Sequence, residues 1–201
     1  MKIREIPIRI TFIEELLGTA ASVPEVHREY IASKAPDAPS VEDEVAALGV
    51  DEVVGNAMSV FSRTEDGKPM LWDYQIKGFF KDACVILARL KDSTNSGKLK
   101  AYKKIIDGLI FVSPRKIPIA FDGDIGNCQR PLRAQTAQGE RVALANSETI
   151  PAGAHIDITV SLIDPSLEST LLEWLEYGQL RGIGQWRNSG KGRFRYEVLQ
   201  G

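Results

Sequence analysis

Cysteine and histidine are almost missing from this 201-residue sequence, which holds only Cys84, Cys128, His27 and His155. The cysteines are far apart in sequence, with no CxxC spacing and no histidine cluster beside them. That excludes the common Cys/His zinc sites and a disulfide-stapled fold, and it points to free thiols in a reducing compartment. Long apolar runs are missing too: none reaches the roughly 18 residues that a membrane span needs. The N-terminus alternates Lys2, Arg4, Glu5 and Arg9 with isoleucines, the pattern of a strand and not of a signal peptide. The expected location is cytoplasmic, without membrane contact. There is no large excess of either charge, since 25 basic and 27 acidic side chains leave a net −2. Whole-chain electrostatics therefore announces no polyanion partner, and nothing in the composition calls for a cofactor. With 43% hydrophobic and 26% charged residues, the chain has the make-up of an ordinary globular protein. At this length roughly 70% of the unfolded surface is buried on folding, enough for a core without a metal.

What is present is a charge asymmetry. Residues 1–70 carry 7 basic and 13 acidic side chains, residues 71–135 carry 12 and 6, and residues 136–201 carry 6 and 8. Five of those last six cations fall between 181 and 195. A basic middle segment and a basic C-terminal loop thus sit inside an acidic protein, and such clustering is the footprint of a polyanion site. A solvated helix face is the alternative for Lys98, Lys100, Lys103 and Lys104.

Hydrophobic periodicity gives the elements. Ile3–Phe12 buries its even-numbered positions as a strand, and Pro7 places it at an edge or a bulge. Residues 14–69 read as a long acidic insertion with helices near 24–34 and 40–49; Ser40 before Glu42, Asp43 and Glu44 suits a helix start. In Leu71–Leu90 the residues Ile76, Phe79, Phe80, Ala83, Cys84, Leu87 and Leu90 form a helical stripe, with Lys77, Lys81 and Arg89 off it. A short basic helix then leads into Ile105–Ile106, and Leu109–Ser113 and Ile117–Phe121 are strand-like. Residues 122–147 are polar and punctuated by glycine, as in a long hairpin or projecting loop. Ala154–Leu162 is a strand, Asp164–Tyr177 a helix with Pro165 in its first turn, and Arg193–Leu199 a closing strand. The expected fold is α+β, a single ferredoxin-like βαββαβ (RRM-like) domain with an antiparallel sheet.

One motif carries more information. Leu180-Arg181-Gly182-Ile183-Gly184-Gln185-Trp186-Arg187-Asn188-Ser189-Gly190-Lys191-Gly192-Arg193-Phe194 interleaves four glycines with four cations and a tryptophan. Glycines permit positive φ and close backbone approach, exposed N–H groups can form an anion nest, arginines fit phosphate, and Trp186 could stack a base. The order matches neither a Walker loop nor a dinucleotide fingerprint. A glycine-rich connection with Trp186 in the core is the competing reading.

This G-x-G-x-x-R-x-x-G-x-G loop before the final strand resembles the RAMP superfamily of CRISPR-associated RNA-binding proteins. Asp73-Tyr74-Gln75-Ile76-Lys77-Gly78-Phe79-Phe80-Lys81 looks like that family's S-x-[IL]-K-G entrance to the first helix. Glu148-Thr149-Ile150-Pro151-Ala152-Gly153-Ala154-His155-Ile156 looks like its E-x-[IL]-P-x-G-x-x-F turn. The usual serine pair is Tyr74-Gln75 here, and the acidic insertion has no counterpart. The resemblance implies a protein similar to the single-domain backbone subunit that lines up along guide RNA. In that case Lys77, Lys81, Arg181, Gly182, Gly184, Trp186, Arg187, Gly190, Lys191, Gly192 and Arg193 face single-stranded RNA, and Arg130 and Arg133 belong to a clamping hairpin. Partners would be guide RNA and other ribonucleoprotein subunits, or further copies of the chain.

No catalytic residue and no metal site is assigned. His27, with Tyr30 and Lys34 within helical reach, is the one arrangement suggesting a metal-independent endoribonuclease. His155 opens a strand on its polar face and reads as structural. The carboxylates Asp37, Glu42, Asp43, Glu44, Asp51 and Glu52 could hold Mg²⁺, but such runs more often solvate a helix. A reading of another class is an interaction or structural protein on the same fold that does not bind guide RNA. Its acidic first 70 residues would cover the basic face or mimic nucleic acid, as a phage-encoded copy interfering with a CRISPR complex would.

Overall fold

The computed structural model describes residues 3–21, 58–136 and 139–200. The helices expected near 24–34 and 40–49, His27 and its neighbours, and the acidic run 37–52 lie outside the described residues. In chain order the first elements are β1 (Arg4–Phe12), β2 (Leu16–Leu17), β3 (Ala20–Ala21), β4 (Met58–Val60), β5 (Ser62–Arg63), β6 (Pro69–Trp72) and α1 (Asp73–Leu87). They are followed by α2 (Tyr102–Leu109), β7 (Ile110–Ser113), β8 (Lys116–Pro118), β9 (Gly126–Thr136), β10 (Gly139–Ile150), β11 (His155–Leu162), α3 (Glu168–Arg181) and β12 (Phe194–Val198). The chain divides into two compact units, one of residues 1–16, 62–124 and 150–201, the other of residues 17–61 and 125–149.

The larger unit is built on a four-stranded sheet in the order β12-β1-β11-β7, with each neighbouring pair antiparallel. Counting only the strands of the βαββαβ frame, that order is fourth-first-third-second, so the α+β ferredoxin-like fold is present. The alternation read in the first strand holds: Ile6, Ile8, Ile10 and Phe12 are buried while Pro7, Arg9 and Thr11 between them are not. Full burial of each such side chain is worth about 1.5–3 kcal/mol. Helix α1 presents Ile76, Phe79, Phe80, Ala83 and Cys84 to the core, and α3 presents Leu171, Trp174 and Leu175. The rings lock together, Phe79 edge-on to Phe194 at 5.2 Å and Phe80 stacked on Trp174 at 5.6 Å. Gly178 is why α3 can approach β12 so closely, since a Cβ there would lie 2.1 Å from the Phe194 ring. A small antiparallel sheet, β5-β6-β8, adjoins this frame.

Among the differences from the sequence reading, three bear on how the frame packs. β1 is a central strand and not an edge one. The carbonyl of Pro7 accepts from Leu199 N–H just past the end of β12. The donor that proline lacks would point the same way, so its absence falls where that ladder stops. Leu71 and Trp72 belong to β6, paired with Ile117 and Lys116, and the helix starts only at Asp73. Helix α3 runs four residues beyond Tyr177, to Arg181.

In the smaller unit the polar stretch forms a hairpin, β9 paired with β10 from Gly126↔Thr149 to Thr136↔Gly139. β4 runs parallel to β10 through Met58↔Asn146 and Ser59↔Ser147, and β3 is antiparallel to β4. No helix among the described residues is long and apolar enough to cross a membrane.

Candidate nucleic-acid interface

The glycine-rich loop leaves α3 at Arg181 and enters β12 at Phe194. Gly182, Gly184, Gly190 and Gly192 all take positive φ. Two of them allow the backbone to fold onto itself. A Cβ at Gly182 would lie 2.6 Å from the Lys191 carbonyl oxygen, and one at Gly192 would lie 1.9 Å from that of Ile183. The pinch is closed by Ile183 N–H donating to Gly192 O at 2.9 Å, while Gly192 N–H donates to Glu15 O at 2.8 Å. Ile183 plugs the core at 3% exposure. At the far end, Arg187–Ser189 makes one tight turn, with Ser189 N–H donating to Trp186 O and Gly190 N–H to Arg187 O.

Several of the backbone donors that a nest would need are therefore used internally. The N–H groups of Gly182, Ile183, Ser189, Gly190 and Gly192 all donate within the chain. Gly182 and Gly192 serve the loop's shape, since a Cβ at either would collide with backbone across the pinch. Trp186 does not join the core: it is 39% exposed and sits at φ +55°.

Each cation of the loop rests on a carboxylate of the same unit. One oxygen of Asp82 accepts from Arg181 Nε at 2.9 Å and from Arg187 Nη1 at 2.8 Å. Arg181 also donates to Asn188 at 2.7 Å. Lys191 lies 2.6 Å from Glu15 and Arg193 2.9 Å from Glu14. Four cations against three carboxylates leave one positive charge, and Asp82 holds the Arg181 guanidinium above its ordinary pKa through the hydrogen bond they share. Each guanidinium has five N–H donors, of which Asp82 takes a single one from each arginine.

The lysines of α1 are arranged likewise. Lys81 Nζ is 2.6 Å from Asp107 Oδ1, and Lys77 donates to the Asp107 backbone carbonyl at 3.2 Å. Lys77 also stands 5.2 Å from the centroid of Phe111. The hydrogen bond from Lys81 is the main reason the Asp107 carboxyl is held below its ordinary range. Because Asp82 follows Lys81 directly, α1 supports both the lysine row and the arginine pair of the loop.

Arg130 and Arg133 lie on β9, in the smaller unit. Arg130 is 6% exposed and donates to Ser147 at 3.1 Å; only the backbone of Arg133, opposite Val142, is described. The sequence reading missed Asp82, Glu14, Glu15 and Asp107 as partners. No local spacing marks them, since the Arg187–Asp82 hydrogen bond spans 105 positions.

No family model matches the sequence. No curated protein matches it either. Among solved structures, the fold is similar to a chain in the cryo-EM structure of the Type III-B Cmr-β complex bound to cognate target RNA. The TM-score is 0.53 and the identity 11%, and the match covers 99% of this chain and 60% of the other. The chain thus spans less than two thirds of that neighbour's length, and at this identity the likeness is one of fold.

Proposed function

We propose that this chain is an RNA-binding subunit of a CRISPR-type ribonucleoprotein, holding guide RNA by its phosphate backbone. The observation that carries the reading is the self-closed glycine loop, which holds Arg181, Arg187, Lys191 and Arg193 on carboxylates of the same unit and carries an exposed Trp186. The resemblance to RAMP proteins and the fold shared with a chain of an RNA-bound complex support it. The carboxylates position the cations; a phosphate meets the guanidinium donors that Asp82 does not use. Phosphate contacts place RNA without reading its sequence. Lys77 and Lys81 extend the track along α1, and other subunits or further copies continue it. Arg130, buried against Ser147, is left to hold the hairpin. No catalytic role is assigned.

Binding should weaken steeply with salt, by a slope of about 0.7 per phosphate contact on a single strand. The test is titration of a fluorescent single-stranded RNA at two salt concentrations, with Arg187→Ala/Arg193→Ala alongside and folding checked by circular dichroism. Salt-sensitive binding lost in the double variant supports the loop as the site. Absence of binding by the folded wild-type protein overturns the reading.

One observation favours a second reading, a protein-interaction role without guide RNA. All six described cations at the site are already engaged by Glu14, Glu15, Asp82 or Asp107. In that case the purified protein carries no nucleic acid, and its 260/280 nm absorbance ratio is that of protein alone.

A further inference from the structure

We infer that Tyr74, stacked on Trp72, is a platform for an unpaired RNA base at the head of the α1 lysine row. This rests on the RNA-binding reading above and adds a contact outside the glycine loop. Trp72 ends β6 and Tyr74 lies in the first turn of α1. Their rings are 6.1 Å apart and only 14° from parallel. The indole is fixed in place, its Nε1–H donating to Ser62 Oγ at 3.1 Å. The Arg115 guanidinium lies 5.9 Å from the indole centroid, a cation–π contact. Arg115 forms no salt bridge among the described residues.

Neither folding nor helix capping accounts for Tyr74. It is 59% exposed, so most of its surface gains nothing from burial. The start of the helix is satisfied by its neighbours, since Trp72 N–H donates to Gln75 Oε1 at 2.7 Å and Tyr74 N–H to Asp73 Oδ1 at 2.8 Å. The position is one where the RAMP resemblance leads one to expect serine. What remains is a rigid, outward aromatic ring next to cations. Residues three and seven apart share a helix face, so Tyr74, Lys77 and Lys81 form one row. A base on Tyr74 would have its phosphate directed along the lysines. The nearby charges are mixed, Arg115 and Lys116 against Asp73 and Glu65, with Lys116 paired to Glu65 at 2.8 Å. Stacking on an aromatic face, and not net charge, is therefore the chemistry this corner offers, and it is indifferent to base identity.

The probes are a fluorescent oligoadenylate and an abasic ribose-phosphate oligomer of equal length, titrated against wild type, Tyr74→Ala and Tyr74→Phe. Base–aromatic stacking predicts that Tyr74→Ala weakens oligoadenylate binding about 5-fold or more. The salt slope and the abasic affinity stay unchanged, and Tyr74→Phe keeps wild-type affinity. Equal affinity of Tyr74→Ala and wild type for oligoadenylate overturns the platform, as does an equal loss on both oligomers. In both of those cases wild-type binding persists and the loop reading stands. If folded wild type binds neither oligomer, the loop reading fails and the platform with it.

Discussion

Replacing Gly192 with alanine would put a methyl carbon 1.9 Å from the carbonyl oxygen of Ile183, in a residue held at φ +69°. A left-handed conformation costs an L-residue roughly 1–2 kcal/mol. Relieving the contact moves a backbone segment by more than an ångström, which breaks the hydrogen bonds from Ile183 N–H to Gly192 O and from Gly192 N–H to Glu15 O. At about 1 kcal/mol each, the total is about 3.5 kcal/mol. Gly190 is the internal control, because it sits at φ +84° with nothing nearer its Cβ than Arg193 Nε at 3.6 Å. Its substitution carries only the conformational part, about 1.5 kcal/mol. For a chain of this size these values correspond to melting shifts of roughly 10 °C for Gly192→Ala and roughly 4 °C for Gly190→Ala. Thermal and urea denaturation of the two variants, followed by circular dichroism, measures the difference directly. Equal shifts would refute the close-approach argument and leave positive φ as the sole reason for both glycines.

Asp82→Asn keeps an acceptor for Arg181 and Arg187 but removes the charge. It should cost about 1–2 kcal/mol of stability and raise RNA affinity with a steeper salt slope; weaker binding in a folded variant would show that Asp82 positions the arginines more than it masks them. Glu173→Ala strands the N–H groups of Asn95 and Ser96 and the Ser96 hydroxyl, all of which donate to its carboxylate. Amide exchange or limited proteolysis at 94–98 should quicken, and unchanged protection would contradict this. Asp107 and Asp157 are held below their ordinary pKa of 3.8, chiefly by hydrogen bonds from Lys81 and Arg9. The unfolded chain takes up those protons first, so the pairs' contribution is full above about pH 4 and fades as pH falls below 3.8. The urea midpoint should drop in that window and drop less in Asp157→Asn; a midpoint that rises on acidification would reverse the sign.

The frame of the fold was legible because its strands and helices repeat with clean periods. Ile6–Phe12 alternates, Ile76–Cys84 follows the helical stripe, and both are buried as their spacing requires. Pro7 misled because proline's missing donor matters only where a partner would use it, and which neighbour β1 has at that residue is a tertiary fact. Leu71 and Trp72 were absorbed into a helix because apolar residues just ahead of a stripe extend it equally well. At the site, the glycines and cations were visible as a motif, yet their partners were not. A salt bridge between Arg187 and Asp82 leaves no mark in a window of any practical length, so a loop that shows four cations and no carboxylate of its own folds into a site where Asp82, Glu14 and Glu15 leave a single positive charge.

The position of β1 sets the timetable of folding. It leaves the ribosome well before either of its two sheet partners, β11 and β12. Throughout synthesis of the intervening residues, Ile6, Ile8, Ile10 and Phe12 have no native strand beside them, and the ladder between β1 and β12 cannot close early. Sheets assembled from such distant segments form slowly and expose sticky strands while they wait. The nascent protein should therefore depend on holding chaperones, and a fragment truncated before Phe194 should aggregate even though the strands and helices before that point are all present.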